Sequence, residues 1–315
     1  MDKHYPWRKI YDACESGDID EVRRQILSSN VDLKNDEDAI LAACENGHTE
    51  VARLLLEYGA DARVSGIGFR TPFGEAIRNG HADVVRLLID DYGVEVDLGL
   101  SAHGLSAIQP LIRATAAGHL EVVRVLLARG ASPNTTKDSG FEAGASALWL
   151  AIRFHRIEIA RALIEAGAEV DCKGPRGVSP LWKAVYNGHL AMARLLLDYS
   201  SSSIDWACDR HVNSPRVQVP STVDGGTVSL GGSTPLSLAC LTGKVGLARL
   251  LLQRGARPAT ALSWPTVRAD GKYVEPVLDM IRQYYAVHVT LDVWGRRERR
   301  RDVVPRITSF LVPPR

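Results

Sequence analysis

The hydrophobic positions of this chain recur in a single phrase. It reads "NGHTEVARLLLEYGAD" from Asn46, "NGHADVVRLLID" from Asn79, "AGHLEVVRVLLARGAS" from Ala117, "NGHLAMARLLLDYS" from Asn187 and "TGKVGLARLLLQRGARP" from Thr242. Within each phrase the apolar residues fall at i, i+3 and i+4, as in Val84, Leu87 and Leu88, which predicts a helix buried along one face. A turn residue precedes each such helix: Gly17, Gly47, Gly80, Gly118, then His155 in glycine's place, Gly188 and Gly243. Recurrence at about 33 residues, with small insertions, is the signature of an array of short supersecondary units.

A second, shorter helix precedes each turn. It opens on "TPFGEA" at Thr71, "QPLIRA" at Gln109, "SPLWKA" at Ser179 and "TPLSLA" at Thr234. Proline suits the first helical turn, where its missing N–H would have no partner in any case. The glycine that follows lets the chain reverse in a left-handed conformation, and Gly-Ala closes the second helix with glycine just past its end. Each unit is therefore predicted to be helix, turn, helix.

These residues closely resemble the ankyrin repeat, whose pattern includes T-P-L-H-x-A-A, G-H-x-E-V-V and L-L-L-x-x-G-A. The resemblance runs from about residue 8 to residue 258. It implies an all-α fold, an ankyrin-repeat solenoid of about seven helix-turn-helix units with projecting edge loops and a C-terminal cap. Each unit would bury its apolar face only against its neighbours. The expected organisation is a degenerate N-terminal capping repeat at 1–35, repeats over 36–205, a flexible inserted loop at 206–232, a last clear repeat at 233–258, and a C-terminal cap with a basic tail at 259–315. A helix at Glu275–Tyr285 and a strand at Ala286–Trp294 are expected in that last segment.

The departures from the family pattern carry their own expectations. Gly74, Ile112, Trp149, Trp182 and Ser237 stand where the family has the histidine of T-P-L-H, so its polar network between loops must be weaker or replaced. His155 at a turn-glycine position and Ser200 at a closing-glycine position are expected to be strained or differently capped.

Composition narrows the class. The chain is 45% hydrophobic and 24% charged with a net charge of +1, so no global field favours nucleic acid or an anionic membrane. Its five cysteines form no C-x-x-C pair, and Cys14, Cys44 and Cys240 each follow an alanine at one point of the repeat, as small packing residues would. The N-terminal stretch lacks the apolar core of a signal peptide, and no apolar run reaches the roughly 18 residues of a membrane span. A soluble, reduced, cytoplasmic or nuclear protein is expected.

No catalytic constellation emerges. His48-Thr49-Glu50 and His119-Leu120-Glu121 imitate the H-x-E of zinc deaminases, but no P-C-x-x-C follows. Asp224–Ser233 has paired glycines without the Gly-Lys-Ser/Thr of a phosphate loop. Cys208, Asp209 and His211 lie close together in the insertion without a recognisable spacing. The chain is expected not to be an enzyme and to need no cofactor or metal.

The resemblance implies that partners contact loop tips and outward positions of each first helix. Those positions read Glu75, Arg78 and Asn79; Arg113, Ala116 and Ala117; Leu150, Arg153 and Phe154; Lys183, Tyr186 and Asn187; Leu238, Leu241 and Thr242. Arg78, Arg113, Arg153 and Lys183 thus form a cationic row, with Phe154 and Tyr186 beside it, while Trp149 and Trp182 suit packing between repeats. Arginine and aromatic side chains are those that most often dominate binding energy. The expected partner is an acidic, partly apolar segment of another protein; no small-molecule substrate, membrane or nucleic acid is indicated, and the chain is expected to be monomeric.

The run "GRRERRR" holds Arg296, Arg297, Arg299, Arg300 and Arg301. It fits a solvated basic tail, a nuclear-import signal, or a patch for nucleic acid or acidic lipid, and it lacks the interleaved aromatics of a single-strand binding groove. The leading functional reading is a non-catalytic adaptor or scaffold. Its alternatives are a nuclear transcriptional co-regulator, a ubiquitin-ligase substrate receptor (without a clear SOCS-box or F-box pattern), and an enzyme accessory protein with its site in the insertion or the last segment.

Overall fold

The computed structural model describes residues 6–28, 33, 37–65, 70–97, 109–137, 143–172, 174–199, 204–205, 216–218, 227–229 and 233–257. Among the described residues fourteen α-helices come in seven consecutive pairs. They are α1 (Pro6–Ser16) with α2 (Ile19–Ser28), α3 (Glu37–Asn46) with α4 (Thr49–Glu57), α5 (Pro72–Asn79) with α6 (Ala82–Asp90), α7 (Pro110–Ala117) with α8 (Leu120–Ala128), α9 (Ala147–Arg153) with α10 (Ile157–Glu165), α11 (Pro180–Asn187) with α12 (Leu190–Tyr199), and α13 (Pro235–Leu241) with α14 (Val245–Gln253).

Local chemistry starts the first helices. The hydroxyls of Thr71, Ser146, Ser179 and Thr234 accept the N–H of Gly74 (3.0 Å), Trp149 (3.1 Å), Trp182 (3.1 Å) and Ser237 (3.2 Å). Each bond satisfies one of the donors that a helix start leaves orphaned. Thr234 completes a capping box, since Ser237 Oγ also accepts the Thr234 N–H at 2.8 Å. The glycines at the turns adopt φ between about 67° and 91°, as at Gly243 and Gly118. His155 holds the same left-handed backbone at φ 62° without being glycine, as the sequence pattern anticipates.

The chain forms two compact units, Met1–Pro175 and Arg176–Arg315. In the first, the leading helices α1, α3, α5, α7 and α9 pack in succession, and so do the following helices α2, α4, α6, α8 and α10. In the second, α11 packs on α13 and α12 on α14. The core is repetitive too. Leu55, Leu88, Leu126 and Leu163 occupy equivalent places in the second helices of the first unit, and Leu196 and Leu251 do so in the second; none is more than 1% exposed. Burying one such leucine contributes about 1.5–3 kcal/mol. Cys14, Cys44 and Cys240 are buried, Cys172 is half-buried, and none of these four is in a disulfide. Burial pushes the Cys44 thiol far up, and pushes that of Cys240 up to about 12.

At five of the turns the residue that follows the turn position ties one repeat to the one before it. Nε2 of His48 donates to the Glu15 carbonyl at 3.0 Å, that of His81 to Glu45 at 2.8 Å, and that of His119 to Arg78 at 2.9 Å. Arg156 takes this place in the fifth repeat and reaches the Ala117 carbonyl at 3.5 Å. Lys244 takes it in the last, donating to Val185 (2.9 Å) and Tyr186 (2.6 Å). After Gly17 the equivalent residue is Asp18, which caps its own helix, accepting the Glu21 N–H at 2.9 Å.

These bonds answer part of the question raised by the missing T-P-L-H histidine. Trp182 answers another part: its indole N–H donates to the carbonyl and the hydroxyl of Ser233, both at 3.0 Å. Tryptophan thus performs at that loop the cross-repeat bonding expected of the imidazole. Two short antiparallel strands, β1 (Arg216–Gln218) and β2 (Thr227–Ser229), pair within the inserted segment, where the sequence suggests a loop without regular structure. Extended pairing gives these backbone groups partners that the sequence's Ser, Gly and Pro content does not advertise. Ser200, Trp206, Cys208, Asp209, His211 and the expected elements and arginine run beyond residue 257 lie outside the described residues.

Candidate partner-binding site

The turn-residue bonds hold the carbonyls of Glu15, Glu45 and Arg78, two residues before their turns, and that of Ala117, one residue before its turn. In the first unit the position two residues before the turn is Glu15 on α1, Glu45 on α3, Arg78 on α5, Ala116 on α7 and Arg153 on α9. The position three residues earlier is Asp12, Ala42, Glu75, Arg113 and Leu150. The stack therefore presents two rows of side chains on a braced scaffold, and charge changes sign along both.

At the change of sign the opposite charges are paired. Arg78 donates to Glu45 Oε1 at 2.9 Å and forms an ion pair with Glu75 on its own helix. Arg70, just ahead of α5, donates to Glu45 Oε2 at 2.5 Å and to Glu75 Oε1 at 3.0 Å. The two carboxylates and two guanidinium groups close a neutral ring. Glu75 is only 4% exposed, so its charge requires this bracing. Arg78 is exposed but enters the row with its charge already matched.

Arg113 is different. Its side chain is half-buried, and its Nε lies buried without a hydrogen-bond partner. Desolvation lowers its affinity for a proton, Glu75 raises it and Arg78 lowers it further. A guanidinium stays charged under these conditions, so an incoming carboxylate at Arg113 would meet a partly dehydrated cation. Arg153, half-buried on α9, lies 5.2 Å from the ring centre of Phe154, a cation–π distance, and that ring is 39% exposed.

The second unit carries its own cluster. The Trp182 and Tyr186 rings stack with centres 5.4 Å apart and planes 13° apart, and Lys183 Nζ lies 4.8 Å from the Tyr186 ring centre. Trp182 is 1% exposed, so it serves packing, and Tyr186 presents the reachable part of the stack. Desolvation lowers the pKa of Lys244, which holds the carbonyls at this end of α11.

The sequence-derived residues thus fall into three places: Arg78 within the neutral ring, Arg113, Arg153 and Phe154 on the first unit, and Lys183 and Tyr186 on the second. Several positions taken as outward are buried instead, namely Glu75, Leu150, Leu238 and Leu241. Helical spacing alone could not reveal this, because the next helix covers part of each face. Sequence reasoning missed Glu45 and Arg70 as members of the ring. Arg70 has a faint signal, a cation one residue before the Thr-Pro start, but its partners lie 5 and 25 residues away. Among the described residues no group of three or more metal-ligating side chains forms, and no helix is long and apolar enough to cross a membrane.

Paired short helices, a repeating turn bond and outward rows on the first helices define a helical-repeat binding scaffold. The family profile described as "Ankyrin repeats (3 copies)" matches residues 10–99, 97–174 and 170–261, so the chain belongs to the ankyrin-repeat family. The ankyrin repeat domain of human ASB11, a solved structure, superposes with a TM-score of 0.58 at 22% identity, covering 79% of this chain and 98% of that one, which shows a shared fold. The Ankyrin repeat and KH domain-containing protein mask-1 of Caenorhabditis elegans is 28% identical over 160 residues, 51% of this chain and 6% of that protein. The Neurogenic locus Notch protein of Drosophila melanogaster is 34% identical over 85 residues, 27% of this chain and 3% of that protein. The chain spans only those small fractions of these curated relatives. Ankyrin repeats mediate contacts between proteins, and their fold is typically non-catalytic.

Proposed function

We propose that this chain is a non-catalytic adaptor whose first-helix face receives a segment of another protein, with carboxylates of that segment meeting Arg113 and Arg153. The observation that carries this reading is Arg113: a half-buried guanidinium whose Nε has no hydrogen-bond partner. Arginine offers a carboxylate two parallel bonds, and these gain strength where water is already excluded. Phe154 supplies apolar area beside Arg153, which suits a partner that is partly apolar. Exposed ion pairs alone contribute about 0–1 kcal/mol, so the aromatic contact and the partial burial are what give such a site useful affinity.

The test is affinity capture with mass spectrometry, comparing the wild type with an Arg113→Gln, Arg153→Glu double variant of unchanged circular dichroism. The reading expects at least one partner to be recovered by the wild type and lost, about tenfold or more, by the variant. A partner list identical for the two proteins contradicts it.

A further inference from the structure

The two rows on the first unit are not uniformly cationic. At equivalent positions they run from acidic on α1 (Asp12, Glu15) to basic on α7 and α9 (Arg113, Arg153). Asp12 and Glu15 are exposed, and Glu45 is half-exposed. Asp38 on α3 is exposed as well; burial raises the pKa of the Tyr11 hydroxyl, Glu15, Glu45 and Asp38 raise it further and Arg70 lowers it, which places these three carboxylates around one ring. Lys9, exposed on α1, is the cation nearest in sequence to this group, and it lies outside both rows. Between the two poles stands the neutral ring of Glu45, Arg70, Glu75 and Arg78, where the chain satisfies its own charges.

We infer that the first unit binds a bipolar segment: a stretch of another protein with a basic block seated over α1 and an acidic block over α7 and α9. This rests on the adaptor reading above and adds the second pole. Charge complementarity argues for it directly. A wholly acidic segment long enough to cross the unit would lay its far end on Asp12 and Glu15, where like charges repel, whereas a bipolar one is attracted at both ends. The self-paired ring leaves the middle of the path neutral, suited to uncharged or apolar residues. Length follows from packing. Four helix-to-helix steps of about 8–10 Å carry the path from α1 to α9 over roughly 32–40 Å, which an extended chain crosses in about ten to twelve residues.

The experiment uses the full chain and three fluorescent twelve-residue peptides read by anisotropy. One has a lysine block, an uncharged middle and a glutamate block. The second has the same composition with the charges alternating, and the third has the glutamate block alone on an uncharged stretch. The inference expects the block peptide to bind about tenfold more tightly than the alternating one, more so at low salt. It also expects Asp12→Lys with Glu15→Lys, and separately Arg113→Gln with Arg153→Glu, each to weaken the block peptide about tenfold. The acid-only peptide should respond to the arginine pair and not weaken with the α1 pair. Circular dichroism and an unchanged melting temperature establish that each variant is folded.

Equal binding of block and alternating peptides, or a block peptide indifferent to the α1 pair, overturns the bipolar inference. If the acid-only peptide then still depends on Arg113 and Arg153, the adaptor reading survives its extension. If no peptide responds to either pair, both fall.

Discussion

His155 holds a left-handed backbone at φ 62° where the equivalent turns carry glycine. An L-residue there costs on the order of 1 kcal/mol, since Cβ crowds the following carbonyl. His155→Gly is therefore expected to stabilise the chain by about 0.5–1 kcal/mol, seen as a higher urea midpoint with an unchanged slope. A lower midpoint would mean that the imidazole contributes more than its backbone costs. The opposite substitution is unfavourable at Gly17, where an added Cβ would lie 2.6 Å from the His48 ring in addition to the strain of φ 77°. At this scale the sequence was largely readable. A glycine recurring at one point of a repeat announces a left-handed turn, and the lone histidine among them announces strain. The bond from the residue after the turn was not readable, because its acceptor is a carbonyl 33 to 59 residues earlier whose approach depends on how the repeats stack.

Neighbouring second helices are joined by ion pairs as well as by leucine. Arg129, at the end of α8, grips Asp90 at the end of α6 through two bonds of 2.7 Å, and Arg53 on α4 donates to Asp91 at 2.7 Å. In the second unit Arg254 donates to Asp198 at 2.5 Å. The Arg129 bonds hold the Asp90 carboxyl below its ordinary value of 3.8. A carboxylate with a depressed pKa in the folded state gives stability that is present above the ordinary value and lost as pH falls through the lowered one. Arg129→Gln is therefore expected to melt below the wild type near neutral pH, with the gap closing below pH 3.8. Melting curves across that range check it, and a gap that is constant with pH would assign the effect to packing instead. The pair is solvent-exposed, so the gap should also shrink in high salt. Helix pairs were legible because apolar periodicity is local. Their ion pairs were not, since the sequence offers each arginine several carboxylates and only the stack selects one.

Across the whole molecule the sequence defines an ankyrin-repeat chain, and the structure changes what its surface means. Arg78, Arg113, Arg153 and Lys183 look like one cationic row when read as letters at a fixed offset. Folded, Arg78 belongs to a neutral ring with Glu45, Arg70 and Glu75, while Arg113 and Arg153 keep one sign at one end of the first unit, opposite Asp12 and Glu15 at the other. Lys183 and Tyr186 sit in a separate stack in the second unit. The offset rule misjudges the electrostatics of the helix face it picks out, because it counts charges without their partners. The central claim is that partners are received on the first helices rather than on the second. Hydrogen–deuterium exchange of the full chain, with and without a captured partner, tests it most directly. Slowed exchange at the ends of α7 and α9 and in the turns that follow them would bear the account out, and protection confined to α6, α8 and α10 would contradict it.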